Sequence, residues 1–248
     1  MCEGRVYRNG REKLSMKSSN TATEFHSQIR DKFVKGYQVK KDFKDRYKIW
    51  TGLIDRYVAA GSRVLDAGCG PGLLSFYCAS KQCDVIGIDG SSAMIEYCLA
   101  ESAAQGGGIE FLHRTFPLAA NQDIGTFDTI LCSSVIEYMD DPVEFLEDLD
   151  RRLRPGGMLL ISVPNRRSVY KQLELLCFRV TRQPAYLSLS INTFAENELN
   201  GLLEPMGYKS IETIYYGSGK QPIGAMFNLF GQVRGKNMFV SALRKSGD

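Results

Sequence analysis

A doubly wound α/β sheet of seven strands is the fold this sequence predicts, and three observations predict it. From Ser62 onward, short apolar runs alternate with segments of helical period. One of those runs, Arg63-Val64-Leu65, opens into a turn with glycines at alternate positions, Gly68, Gly70 and Gly72. Two further apolar runs, 211–216 and 237–243, complete the count near the carboxyl end. Strands separated by helices of this length demand a parallel sheet with helices on both faces.

The elements follow in order. Residues 1–22 are polar, basic and aperiodic, the pattern of a disordered lead-in, and a single domain is expected over 23–248. Phe25, Ile29 and Phe33 recur every four residues, a short amphipathic helix. Phe43, Tyr47, Trp50, Ile54 and Tyr57 form a longer apolar stripe, with Lys40, Lys41, Lys44 and Lys48 elsewhere on the cylinder. That stripe reads either as core against the sheet or as part of a lid over 23–58. Strand one spans Arg63 to Asp66 and its helix runs to Ser80, with Pro71 in the first turn. Strand two is Asp84–Asp89. Ser91 caps the next helix, which stops in Gly106-Gly107-Gly108. Ile109–His113 and Phe127–Cys132 are strands three and four. Asp141, Pro142 and Glu144 open a helix whose buried stripe is Leu146, Leu149 and Leu153. Pro155-Gly156-Gly157 turns the chain into strand five, Met158–Val163. Residues 165–192 read as neither strand nor clean helix, either an ordinary insertion with a solvated charged face or a second lid. Thr193 and Glu196 make another capping box for a helix that ends at Gly207.

Composition excludes several classes. The 248 residues, 44% apolar and 24% charged, suit one soluble domain with a full core. A net charge of +3 does not argue for nucleic acid. No apolar run reaches the ~20 residues of a membrane span, and no signal-type apolar region opens the chain. Seven scattered cysteines, an odd number without a C-x-x-C pair, suggest reduced thiols in the cytoplasm and no zinc.

The nine residues Val64-Leu65-Asp66-Ala67-Gly68-Cys69-Gly70-Pro71-Gly72 carry the chemistry. Glycine allows a tight turn and close approach of bare backbone to a ligand, with free amides expected to point at it. The spacing G-x-G-x-G departs from the dinucleotide fingerprint and argues against a nicotinamide enzyme. With Asp66 before it, the stretch resembles motif I of the class I S-adenosylmethionine-dependent methyltransferases. Three more stations extend the resemblance from Ser62 to Leu243. Asp89 follows Gly72 by 17 residues, where the family has an acid for both ribose hydroxyls. Phe127 to Tyr138 is similar to the family's fourth motif, and Leu153-Arg154-Pro155-Gly156-Gly157 to the turn before strand five.

The resemblance implies a Rossmann-like sheet whose strand seven is antiparallel, and S-adenosylmethionine as cofactor. It implies cofactor contacts from Asp66, Gly68, Cys69, Gly70, Gly72, Asp89, Gly90, Met94 and Ser133. Thr115, where the family places an acid for the adenine amino group, and the amide of Phe116 would meet the ring. Tyr37 and Arg46 would reach the ligand from the first lid. Where quinone-biosynthesis members read E-x-x-E-H, this chain has Ser134, Glu137 and Tyr138, so no metal is expected. Tyr138 and His26 are the catalytic candidates, Tyr138 as an orienting group or base. Glu137 is read as favouring a helix start, and His113 as a core histidine on a central strand. The acceptor would be a small, partly apolar organic molecule, with O-methylation favoured. N-methylation of an amine and a non-catalytic cofactor-binding subunit stand as alternatives. Basic and apolar residues over 165–182 would suit a membrane surface or a greasy substrate.

Overall fold

The computed structural model describes residues 23–25, 27, 41–119, 121–181, 185–217 and 228–247. The expected lead-in, His26 and Tyr37 lie outside them. The first long helix, α1 (Lys41–Tyr57), is followed by β1 (Arg63–Ala67), α2 (Leu73–Ser80), β2 (Asp84–Asp89), α3 (Ser92–Ala104) and β3 (Glu110–His113). Then come β4 (Phe127–Ser133), α4 (Pro142–Arg152), β5 (Leu153–Pro164), α5 (Val169–Thr181), α6 (Glu196–Leu203), β6 (Tyr208–Tyr216), the short α7 (Gly231–Gly235) and β7 (Met238–Lys245).

The strands form one sheet in the order β3-β2-β1-β4-β5-β7-β6. The first five are parallel, and β7 runs antiparallel to both β5 and β6. The chain winds outward from β1 to β3, then crosses back to β4. That reversal opens a crevice beyond the carboxyl ends of β1 and β4, the place where such sheets receive ligands.

Alternation along the strands fills two layers. Leu65, Ile130, Leu159 and Ile161 face Phe145, Leu146 and Leu149 of α4 and Leu199 and Leu203 of α6. Val64, Leu131, Leu160 and Val240 face the other way, onto Trp50, Leu53 and Ile54 of α1 and Cys78 of α2. The carboxyl-terminal half of the α1 stripe is therefore core. Among the described residues no helix is long and apolar enough to cross a membrane.

Several local expectations need correction. Pro71 lies outside α2, whose N-cap is Gly72 at φ +74°. Residues 153–157 belong to β5, where the register slips between Phe127↔Leu153 and Thr129↔Met158, so Pro155-Gly156-Gly157 makes an irregularity within the strand. α5 occupies part of the insertion that reads as neither strand nor helix. Its pattern is inverted, since Lys171 is buried while Leu176 and Val180 are 56% and 84% exposed. The helix α6 starts two residues later than the Thr193–Glu196 box implies: Ala195 N–H donates to Glu198 Oε2 at 2.8 Å, and Glu196 instead accepts from the Tyr215 hydroxyl at 2.6 Å. β3 is an edge strand, and His113 on it is exposed, its Nε2 2.8 Å from the Gly90 carbonyl oxygen.

Candidate functional site

The turn after β1 is built by its own backbone. Gly68, Gly70 and Gly72 all have positive φ, at 75°, 52° and 74°. Each is bare for a different reason. A Cβ on Gly68 would strike Val135 Cγ2 at 2.2 Å, and one on Gly72 would crowd Cys98, Phe76 and Phe111. One on Gly70 would meet nothing within 4 Å. Gly68 and Gly72 thus serve packing, whereas Gly70 borders open space.

Free amides are not what this turn offers. Gly68 and Cys69 N–H groups donate to the Ile88 carbonyl at 2.7 and 2.9 Å, and Gly72 N–H donates to Cys69. Gly70 N–H donates to Asp89 Oδ2 at 2.8 Å, and the Cys98 thiol donates to the Gly70 carbonyl at 3.2 Å. The expectation of amides aimed at a ligand is therefore corrected for these residues. Their hydrogen bonds tie the turn to β2 and α3, and the surface left to a ligand is shape.

Asp89 ends β2 with both oxygens engaged, Oδ2 by Gly70 and Oδ1 by Ser91 N–H at 2.8 Å. A carboxylate has about four acceptor positions, so each oxygen keeps one for a vicinal diol. Burial pushes the Asp89 carboxyl up, opposed by those two amides and by His113. Asp66 differs. It is 1% exposed, its Oδ2 accepts from the Ser75 hydroxyl at 2.7 Å, and burial pushes its carboxyl up to about 6. Its side chain stands beneath the turn as a brace between β1 and α2. Met94 is likewise buried, with its N–H capped by the Ser91 hydroxyl.

Around Asp89 the structure gathers Gly90, Thr115 and the N-terminal segment. A Cβ on Gly90 would lie 2.9 Å from Thr23 Oγ1 and 3.2 Å from Thr115 Cγ2. Ser27 and Ser91 hydroxyls share a hydrogen bond of 2.6 Å, so Thr23 and Ser27 lie over the end of β2. Thr115 is exposed, while the Phe116 ring turns inward, edge-on to Phe145 with centroids 5.6 Å apart.

The end of β4 forms the other wall. Arg46 on α1 donates through Nη2 to the Ser133 carbonyl at 3.1 Å and hydroxyl at 2.6 Å. The amino-terminal half of α1 therefore does reach the crevice. Ser134 follows at φ +61°, and a 3₁₀ turn, Ile136–Tyr138, comes next. Burial first, then the charge of Glu137, pushes the Tyr138 phenol well up, which favours its neutral, hydrogen-bonding form. Glu137 is no exposed helix-start residue. It is 4% exposed, and the insertion clamps over it: Ile191 and Asn192 N–H groups donate to its carbonyl at 2.9 and 3.1 Å. Its spacing in the chain carries no sign of this burial.

A bound S-adenosylmethionine fits what is present: an open space over Gly70, a half-used carboxylate at Asp89 and a covering segment over Gly90. Comparison with known proteins agrees. A family model described as "Methyltransferase domain" matches residues 43–213. A ubiquinone biosynthesis O-methyltransferase of Xanthomonas euvesicatoria is 33% identical over 111 residues, 45% of this chain and 46% of the relative. The match thus spans less than half of either protein. The magnesium protoporphyrin IX methyltransferase of Synechocystis, crystallised with S-adenosylhomocysteine, superposes with a TM-score of 0.66 at 18% identity, covering 93% of this chain and 100% of the other. The N-methyltransferase NodS of Bradyrhizobium japonicum, also holding S-adenosylhomocysteine, gives 0.64 at 14% identity over 93% and 99%. At such identities these two structures show the shared fold. The chain belongs to the family of S-adenosylmethionine-dependent methyltransferase domains.

Proposed function

We propose that this protein transfers a methyl group from S-adenosylmethionine to an oxygen of a small, partly apolar organic molecule. The observation that carries the reading is the crevice itself, with Gly70 open and Asp89 half-used on one side and the end of β4 on the other. The sulfonium supplies an activated methyl, so the protein's part is alignment and exclusion of water. Orientation of this kind is worth about 7–11 kcal/mol. The likeness to O-methyltransferases of ubiquinone biosynthesis supports oxygen over nitrogen as the acceptor atom. Five buried free thiols, Cys69, Cys78, Cys83, Cys98 and Cys132, support a reducing compartment such as the cytoplasm.

Calorimetry with S-adenosylmethionine and its demethylated product tests the first half of this reading, and micromolar binding is expected. A screen of phenols, amines and carboxylates with labelled methyl tests the second. Label on amines alone would replace O-methylation by N-methylation, and binding without transfer to anything would leave a cofactor-binding subunit.

The exposed face of α5 favours a companion reading, contact with a lipid surface. Leu173, Leu176 and Val180 lie outward on a helix that also carries Arg179, and Leu229 and Phe230 are exposed too. Co-sedimentation with phosphatidylglycerol vesicles but not phosphatidylcholine vesicles is expected, and equal absence from both would remove it.

A further inference from the structure

At the carboxyl ends of β4, β5 and β6, four buried polar atoms have no hydrogen-bond partner: Trp50 Nε1, Ser134 Oγ, Glu137 Oε2 and Tyr216 Oη. Trp50 is 1% exposed, Glu137 4% and Tyr216 7%. They come from α1, the loop after β4, the 3₁₀ turn and the end of β6, and they are neighbours. Ser162 and Trp50 reach the Tyr216 phenol as weak, poorly aligned hydrogen-bonding neighbours, with the charges of Arg46 and Glu137 beyond them. Ser134 reaches Glu137 in the same way beside Arg46 and Lys171, so no member of the set completes another's hydrogen bond. Ser134 N–H also donates to the Ser162 hydroxyl at 3.1 Å. The cluster abuts the cofactor turn, because Val135 fills the space beside Gly68.

Leaving such groups unpaired is costly. A buried polar atom without a partner costs about 1–3 kcal/mol, and a carboxylate more. Native interiors retain few, and each calls for an explanation; four of the eight among the described residues gather here. The set is also chemically directional: Trp50 only donates, Tyr216 held neutral by burial donates or accepts, and the Glu137 carboxylate only accepts. A ligand that satisfies them must bring a hydroxyl hydrogen to Glu137 and lone pairs to Trp50 and Tyr216.

Resting on the O-methylation reading, we propose that Glu137 is the proton acceptor for the methyl-accepting hydroxyl, with Trp50, Ser134 and Tyr216 holding that acceptor's oxygen atoms beside it. As the acceptor oxygen's lone pair forms the new C–O bond, the C–S pair returns to sulfur, and the hydroxyl proton passes to Glu137 Oε2. The products are a methyl ether or ester, a neutral thioether and a protonated Glu137, which then loses its proton to solvent. The groups facing Glu137 are Arg46 from α1, Lys171 from α5, Cys132 of β4, Tyr138 beside it and Tyr216 of β6. Against Arg46 and Lys171, burial prevails and pushes Glu137 up to about 7, where a base works best near neutral pH.

Trp50 is the single tryptophan, so its emission reads this cluster directly. In the wild type, Trp50 emission should titrate near neutral pH and respond to 4-ethylphenol; Glu137→Gln should abolish the pH transition. In the same variant, transfer to the hydroxylic acceptor found by the labelled screen should fall roughly 10²–10⁴-fold and lose its acidic pH limb. Its affinity for S-adenosylhomocysteine should be unchanged. Tyr216→Phe guards against misfolding of the first variant: it should melt at or above the wild-type temperature and bind 4-ethylphenol several-fold more weakly. Hydroxyl methylation with an unaltered pH profile in Glu137→Gln overturns the proposal and leaves O-methylation standing. So does emission indifferent to both pH and 4-ethylphenol, which would mean a water-filled or purely structural cluster. A wild type that methylates no hydroxyl at all removes both readings together.

Discussion

In the turn after β1 and at the Asp89 carboxylate, polar groups are matched by the protein itself; at the ends of β4, β5 and β6 four buried side-chain atoms are not. Asp89 holds the amides of Gly70 and Ser91, His113 faces the Gly90 carbonyl, and the turn amides return to Ile88. Across the crevice, Trp50, Ser134, Glu137 and Tyr216 each keep a buried atom without a partner. The turn amides are taken up before any ligand arrives, so the turn presents a fixed shape to an invariant nucleoside. The second set carries a desolvation cost that the acceptor proposed above would relieve. One fold thus supports a constant cofactor site beside an acceptor site set by individual side chains.

Substituting Gly70 gives the largest expected effect on this contrast. Gly70→Val places a branched side chain into the open space over the turn, and calorimetry with S-adenosylhomocysteine should detect no binding. Gly70→Ala separates backbone strain from blockage. An L-residue in the left-handed region costs roughly 1–2 kcal/mol, which thermal melting reads independently of the ligand. If Gly70→Val binds as the wild type does, the preformed half is not the cofactor cradle. Asp89→Ala ranks next. Losing hydrogen bonds to a charged group should weaken S-adenosylhomocysteine by about 1.5–3 kcal/mol, roughly ten- to hundredfold. Unchanged affinity would strip Asp89 of its ribose role.

The two halves also differed in legibility, for a physical reason. A turn that needs positive φ at three glycines and an acid at the end of the next strand is specified between Gly68 and Asp89, so spacing alone exposes it. The sheet was equally readable, since period-2 apolar runs and capped helices are local patterns. What spacing could not tell was the use of each glycine: Gly68 is bare for Val135 and Gly72 for Cys98, Phe76 and Phe111, none of them close in sequence. The unpaired cluster draws on Trp50, Glu137 and Tyr216, which meet only through the sheet order. α5 escaped for a further reason. Its cation is buried and its leucines are exposed, the reverse of the amphipathic pattern that identifies a helix packed on a core. Spacing likewise places Asp66 in the motif without showing that its carboxyl accepts from the Ser75 hydroxyl of α2.

That placement of Asp66 supports the smallest effect on binding and a distinct one on stability. Its folded carboxyl is raised from 3.8 to about 6 by burial. A raised folded value means the stabilisation is complete below the unfolded value and is lost as pH climbs through the folded one. Wild-type stability should therefore decline between about pH 4 and 7 by up to about 3 kcal/mol from this group, at ~1.4 kcal/mol per unit. Asp66→Asn keeps a carbonyl for the Ser75 hydroxyl and carries no charge. Glu137 and Asp89 are also raised and remain in both proteins, so the quantity to follow is the difference between wild type and variant in urea melts from pH 4 to 8. The variant should gain steadily on the wild type across that window while binding S-adenosylhomocysteine within about threefold of it, a change under ~0.7 kcal/mol. A flat difference would mean that Asp66 ionises as freely in the fold as in the unfolded chain. An affinity loss matching that of Asp89→Ala would move Asp66 from beneath the turn to its ligand face.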